Sequence, residues 1–250
     1  MPKASTIAEV ITQLEDVIQW SKQNKSRLGY FASLYLRMTR AVQKGIASGS
    51  FEDGPRMERL DVIFANRYLD AWQAYINNQP CPNAWCTAFD ACKKSNLIVL
   101  QHLLLGINTH INLDLCIAAA ETCPGNDINR LQNDFNKINA VIAFESEKVQ
   151  SLLEKIWWPL KLLTRISNNR EDAVLNFSIG IARECSWENA LKLANGNAQF
   201  DGEYIKPVES VVLKIAGRVI NPGFFASLLL KPVNFMENKN INNLIDILNE

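Results

Sequence analysis

The stretch LIVLQHLLLGINTHINLDLCIAAAE, residues 97–121, most constrains what this chain can fold into. It contains no proline, is apolar on almost every side, and carries both histidines of the protein. A helix that is apolar all round must be buried, so the stretch is expected to be the central helix of a helical domain. Into that apolar length the sequence places His102, Asn108, His110, Asn112 and Asp114. A buried polar group left unpaired costs about 1–3 kcal/mol, so these five side chains need partners. The stretch is long enough to span a bilayer, but five such residues through its middle argue against a membrane span.

The remaining composition narrows the function classes. Lys+Arg and Asp+Glu number 26 each, so no net charge draws the chain to nucleic acid or to an anionic membrane. Residues 7–20 are interrupted by Glu9, Gln13, Glu15 and Asp16 and do not form a signal peptide, which predicts a cytoplasmic protein. The six cysteines, at 81, 86, 92, 116, 123 and 185, show no CxxC and no repeated spacing. In that compartment they are expected to be reduced, mostly buried thiols.

Periodicity predicts helices throughout. Ser5 and Thr6 cap a first helix to about residue 24, with Ile7, Val10, Ile11, Leu14, Val17 and Ile18 on one face. A second spans about 28–47, ended by Gly45 and Gly49. A third begins at Pro55 and runs to about 76. A shorter helix over 84–94 precedes the central one, and Pro124-Gly125 stops it. Asp127 then caps a long helix to about 156, kinked at Trp157-Trp158-Pro159 and continuing to about 166. Further helices are expected over 171–194 and 205–220, with a weak amphipathic turn at 241–248 in a poorly ordered tail from about 237. No segment alternates with period two. The expected fold is all-α, a single domain of about eight helices around the buried stretch.

His102, Gly106, His110 and Asp114 follow one another at i+4 steps. At 1.5 Å per residue the histidines stand about 12 Å apart, too far to ligate one metal unless the helix bends at Gly106. His110 and Asp114 do face one point. The third helix offers further ligands: Glu58 and Asp61 could complete a site for one divalent metal ion with His110 and Asp114. Asn66 and Asp70 could satisfy His102 or, with Asn108, Asn112 and Arg183, bind a small-molecule substrate. Asp134, Asn136 and Asn139 could border the same cavity, as could Ser178, Arg183 and Trp187. Arg183 is expected to pair with Asp61 or Asp70, or to hold a substrate carboxylate. The sequence has no GxSxG, Walker A, GxGxxG or HExxH motif.

Through RMERLDVIFANRYLDAW and LQHLLLGINTHINLDL the chain resembles a bacterial family of unknown function, over about residues 28–187. That resemblance implies a shared helical fold and brings no activity with it. A second, narrower resemblance is to the helical zinc phospholipase C and P1-nuclease group, whose His-x3-Asp zinc pair has the form of His110-x3-Asp114. That group uses several more histidines as ligands, and with two in all this chain cannot build its three-zinc site.

The functional expectation is a polar cavity between the third and central helices. In one version it belongs to a metal-assisted enzyme acting on a small molecule. There Glu58, Asp61, His110 and Asp114 hold the ion, and His102 and His110 supply acid–base chemistry. In the alternative, the same residues form a structural hydrogen-bond network in a non-catalytic binding module.

Overall fold

The computed structural model describes residues 1–138, 141, 179–196, 203–237 and 239–249. Helix α1 is Ile7–Gln23, started by Thr6, whose hydroxyl accepts from the Glu9 N–H at 3.2 Å. Helix α2 is Leu28–Ala47, and α3 is Gly54–Ile76. Asp53 caps α3 by accepting from the Arg56 N–H, and Pro55 sits in its first turn, where a missing N–H costs nothing. Helix α4 is Asn83–Ala91. The expected central helix is α5, Val99–Thr122. It is long and apolar enough to cross a membrane, yet it lies inside the protein, packed between other helices. After the gaps in the described residues come α6 (Ile179–Asn195), α7 (Ile205–Ile220), α8 (Phe224–Met236) and α9 (Ile241–Asn249). No strand occurs among the described residues, and the fold is all-α.

The core is one continuous apolar cluster with α5 at its centre. Helices α3 and α6 pack on its C-terminal half, α4 and α7 on its N-terminal half, and α2 lies alongside. The tail is a packed part of the fold. Helix α9 buries Leu244, Ile245 and Leu248 against α2 and α1, and Asp246 pairs with Lys22. Glu237, at the end of α8, accepts from the Val99 N–H at 2.9 Å, giving the first turn of α5 a partner.

Three features differ from the sequence reading. First, α5 is not α-helical throughout: His110–Asp114 forms a π-turn inside it. Second, the segment after α5 begins as a 3₁₀ helix over Gly125–Leu131, with Gly125 at φ +63°, before residues 132–138 become α-helical. The remainder of the long helix, the Trp157-Trp158-Pro159 kink, Asn139 and Ser178 lie outside the described residues. Third, Cys81 and Cys86 form a disulfide, with Cα atoms 6.1 Å apart. The reading of six free thiols is thereby corrected. Of the other four, Cys116 and Cys123 are buried, Cys92 is half-buried and Cys185 is exposed. The four-residue spacing of Cys81 and Cys86 resembles no metal or redox motif, yet the turn into α4 folds the two together.

Gly106 does not bend α5. It lies against Phe31 of α2, and a methyl group at this position would overlap the phenyl ring. Phe31 is itself held by Tyr35, Tyr68 and Trp85, so it has little room to retreat. Gly106→Ala is expected to destabilise the protein by about 2 kcal/mol, despite the better helix propensity of alanine. A shift in the urea midpoint at constant m-value measures it. An unchanged midpoint would mean that α2 and α5 are free to move apart.

Candidate functional site

The π-turn places the polar centre of the molecule. His110 and Asp114 sit at its two ends, and His110 Nδ1 lies 3.0 Å from Asp114 Oδ2. A π-turn within an α-helix is uncommon and recurs at functional sites. Asp114 accepts two more bonds: from the Trp85 indole N–H on Oδ2 at 2.8 Å and from Arg67 Nε on Oδ1 at 3.0 Å. A carboxylate can only accept, so His110 Nδ1 carries the proton and Nε2 is left as the basic nitrogen. Nε2 has no hydrogen-bond partner and is buried. His110 is 2% exposed and Asp114 1%. Burial pushes the His110 pKa down, against the upward pull of the Asp114 bond and charge, so the imidazole is neutral at pH 7.

Aromatic residues from three helices surround the imidazole. Phe64 of α3 stacks on it with ring centroids 3.5 Å apart and planes at 9°. Tyr35 and Phe31 of α2 meet it edge-on at 4.5 and 5.7 Å, and Trp85 of α4 stands 5.8 Å away. Helical spacing brings these rings to one place. Phe31 and Tyr35 are four residues apart on α2, while Asp61, Phe64, Ala65 and Tyr68 share one stripe on α3.

Two further polar atoms in this neighbourhood are buried and without partners, Tyr68 Oη and Asp61 Oδ2, besides His110 Nε2. Burial raises the Asp61 pKa to about 7, with the Glu58 charge adding to the effect. Burial also pushes the Tyr35 hydroxyl well up, helped by the charges of Asp61 and Asp114. Native interiors leave few polar groups unpaired, so such a group of orphans marks a place where water or a ligand is expected.

The other residues picked out in the sequence go elsewhere. His102, near the start of α5, lies beside Tyr30 and within hydrogen-bonding reach of the Leu97 backbone. Burial takes its pKa down to about 3, and the Arg27 charge acts in the same direction. The two histidines therefore occupy separate surroundings, and α5 brings no shared site together. Asn108 donates to the Val212 carbonyl at 2.9 Å and accepts from Asn112 at 3.0 Å, which fixes α5 against α7. Asn66 faces the N-terminal segment. It makes a reciprocal pair of 2.9 Å bonds with the Ala4 backbone, and its neighbour Asp70 meets Lys3 at the surface. Glu58 accepts from the Ile7 N–H at 3.1 Å, so this side of α3 grips the N-terminal segment.

Arg183 donates to the Phe135 carbonyl at 2.7 Å and lies over the Phe135 ring, which also packs against Trp187. Asp134 accepts from the Glu52 and Asp53 N–H groups and from Arg56, tying down the loop that starts α3. Burial alone would raise its pKa, but these donors outweigh it and hold the carboxyl below its ordinary value. Glu58, Asp61, His110 and Asp114 are not gathered as a set of ligands. Among the described residues, no group of three or more His, Cys, Asp or Glu side chains is arranged to hold a metal ion. An open groove lies near the C-terminal end of α5, where Arg56, Arg59 and Arg130 alternate with Asp53, Glu121 and Asp127. None of the candidate catalytic, substrate-binding or metal-ligating residues read from the sequence lines it.

Sequence reasoning missed the ring-bearing residues Tyr35, Phe64, Tyr68 and Trp85, and it missed Arg67 as a partner of Asp114. Their signal was present as aromatic pairs at i, i+4 on α2, α3 and α4.

Residues 7–222 match a family of unknown function (DUF5995), and the chain belongs to that family. No curated protein and no solved structure matches the chain.

Proposed function

We propose that this DUF5995 chain is an enzyme that moves protons on a small molecule, with His110 as the general base. Nε2 takes a proton from the substrate, and Asp114, bonded to Nδ1, orients the ring and stabilises the imidazolium that forms. Asp61, whose carboxyl titrates near pH 7, is suited to return or receive the second proton. The aromatic surroundings with a few polar atoms suit a small, largely apolar molecule carrying one or two hydrogen-bonding groups. The observation that carries the reading is His110 itself: one nitrogen is fixed by a carboxylate and the other is basic, buried and unpartnered. Phe64, stacked on the ring, is the side chain that must swing to admit substrate. The metal-assisted version draws no support from the geometry, because the carboxylates of Glu58 and Asp61 do not join His110 and Asp114 as a ligand group.

A second reading has its own observation. Asp114 accepts three donors and the pair is almost wholly buried, as in a hydrogen-bond network that fixes helix register. Reaction with diethyl pyrocarbonate, which acylates accessible neutral imidazole, separates the two. The enzymatic reading expects His110 in the native protein to react faster than the protein unfolds, and faster still in Phe64→Ala. Modification of His110 only at the global unfolding rate, in both proteins, would leave the structural network as the account.

A further inference from the structure

Trp85, which touches the polar centre, directly precedes one cysteine of the disulfide. Cys81 lies in the loop before α4 and Cys86 in its first turns, and both are half-buried rather than sealed in the core. Between them, Ala84 and Trp85 each make a hydrogen bond from α4 to α5. The Ala84 carbonyl accepts from the Thr109 hydroxyl at 3.4 Å. Trp85, 1% exposed, donates its indole N–H to Asp114 Oδ2, the same oxygen that faces His110 Nδ1. A covalent clip around a turn this short removes little chain entropy from the unfolded state, so its main effect is local. It fixes where the first turn of α4 begins and thereby where Trp85 points.

We propose that the Cys81–Cys86 bond is a thiol-exchange site that sets the grip of Trp85 on Asp114, and through it the state of His110. The chemistry is reduction by an external dithiol. One thiolate of the dithiol attacks a sulfur of the bond and forms a mixed disulfide, releasing the other cysteine as a thiolate that takes up a proton. The second thiol of the dithiol then displaces the first protein sulfur, which is protonated in turn. The dithiol leaves as a disulfide, and Cys81 and Cys86 have together gained two electrons and two protons. The reduced turn is free to fray. Trp85 then shares Asp114 Oδ2 less tightly, and the His110–Asp114 bond changes with it. Trp85 is a positioning residue in this scheme. The coupling holds whether His110 is a catalytic base or part of a structural network, so it stands independently of the proposed activity.

Two measurements on the full chain test it. The first is alkylation of the unfolded protein with iodoacetamide and intact mass. Without reductant, four labels are expected, matching the four free cysteines, and after dithiothreitol six. Six labels without reductant under air would overturn the proposal, because the bond would not form in solution. The second is the ring spectrum of protein with 15N-labelled histidine, which reports two imidazoles only. A shift of the His110 ring resonances between the oxidised and dithiothreitol-reduced native protein is expected, and its absence in Trp85→Phe. Cys86→Ser should reproduce the reduced spectrum without dithiothreitol. His110 resonances identical in the oxidised and reduced wild type would overturn the coupling, and that comparison requires no variant to fold.

Discussion

Asp114→Ala is expected to destabilise the protein by about 3–5 kcal/mol, the largest effect of any single substitution on α5. The size follows from what the carboxylate does. It is the acceptor for three donors on three side chains: His110 Nδ1, the Trp85 indole and Arg67 Nε. Truncation leaves the first two as buried orphans, because Trp85 and His110 are 1% and 2% exposed. Arg67 is better placed to recover water, since its side chain is 29% exposed. Arg67→Met takes a cation from the buried carboxylate but leaves its indole and imidazole donors, and is expected to cost less than Asp114→Ala, about 2 kcal/mol. Urea unfolding of the two variants beside the wild type checks the ranking. Similar costs for both would mean that Asp114 acts mainly as a partner of Arg67, and that the imidazole and indole bonds contribute little.

The second large effect is on pH dependence. Four buried groups titrate differently in the folded and unfolded chain, and they oppose one another in pairs. Burial lowers His102 to about 3 and also lowers His110, so between about pH 5 and 6.5 the unfolded chain binds more protons at histidine than the folded one. Burial raises Asp61 and Glu237 to about 7 each, so over the same range the folded chain binds up to two more protons at carboxyl groups. Stability follows the difference in bound protons, so the histidine pair makes acid destabilising and the carboxyl pair makes it stabilising. The two pairs oppose each other, so the wild type is expected to depend less steeply on pH between 6.5 and 5 than either pair alone would make it.

Substitution exposes one side. In Asp61→Asn one opposing proton is gone, and relative to the wild type stability should fall on acidification by about 1.4 kcal/mol per pH unit. His102→Gln should tilt the other way and gain stability relative to the wild type as the pH falls. The slopes are read from urea midpoints at pH 5 and 6.5, with constant m-values showing that the unfolded state is unchanged. Parallel profiles for both variants and the wild type would mean that these groups are solvated in the folded protein.

Much of the architecture is legible in the chain because its signals are local. Thr6 and Asp53 cap helices, Pro55 opens one, and Gly49 and Pro124 lie just past the ends of others. The all-round apolar character of residues 97–121 marks α5 as buried. The His110–Asp114 contact follows directly from an i, i+4 spacing.

What escapes sequence reading depends on which helix faces meet. The rings around His110 come from α2, α3 and α4, and nothing in the individual segments says that Tyr35, Phe64 and Trp85 converge there. Asn66, Asp70 and Glu58 look like site residues by type, yet Asn66 and Glu58 bind backbone groups of the N-terminal segment and Asp70 pairs with the Lys3 side chain. The π-turn has no residue signature, since it arises when one extra residue is accommodated in a helix held at both ends by packing. The Cys81–Cys86 bond depends on the turn into α4 and on no motif.

The proposed chemistry depends on which nitrogen of His110 is basic, and the ring spectrum of protein labelled with 15N in histidine reads that directly. At pH 7 the account predicts a neutral His110 with its proton on Nδ1 and an unprotonated Nε2, turning into the opposite tautomer or a mixture in Asp114→Asn. A wild-type His110 protonated on Nε2, or fully charged at pH 7, would contradict it, because no basic nitrogen would then be available to take a proton.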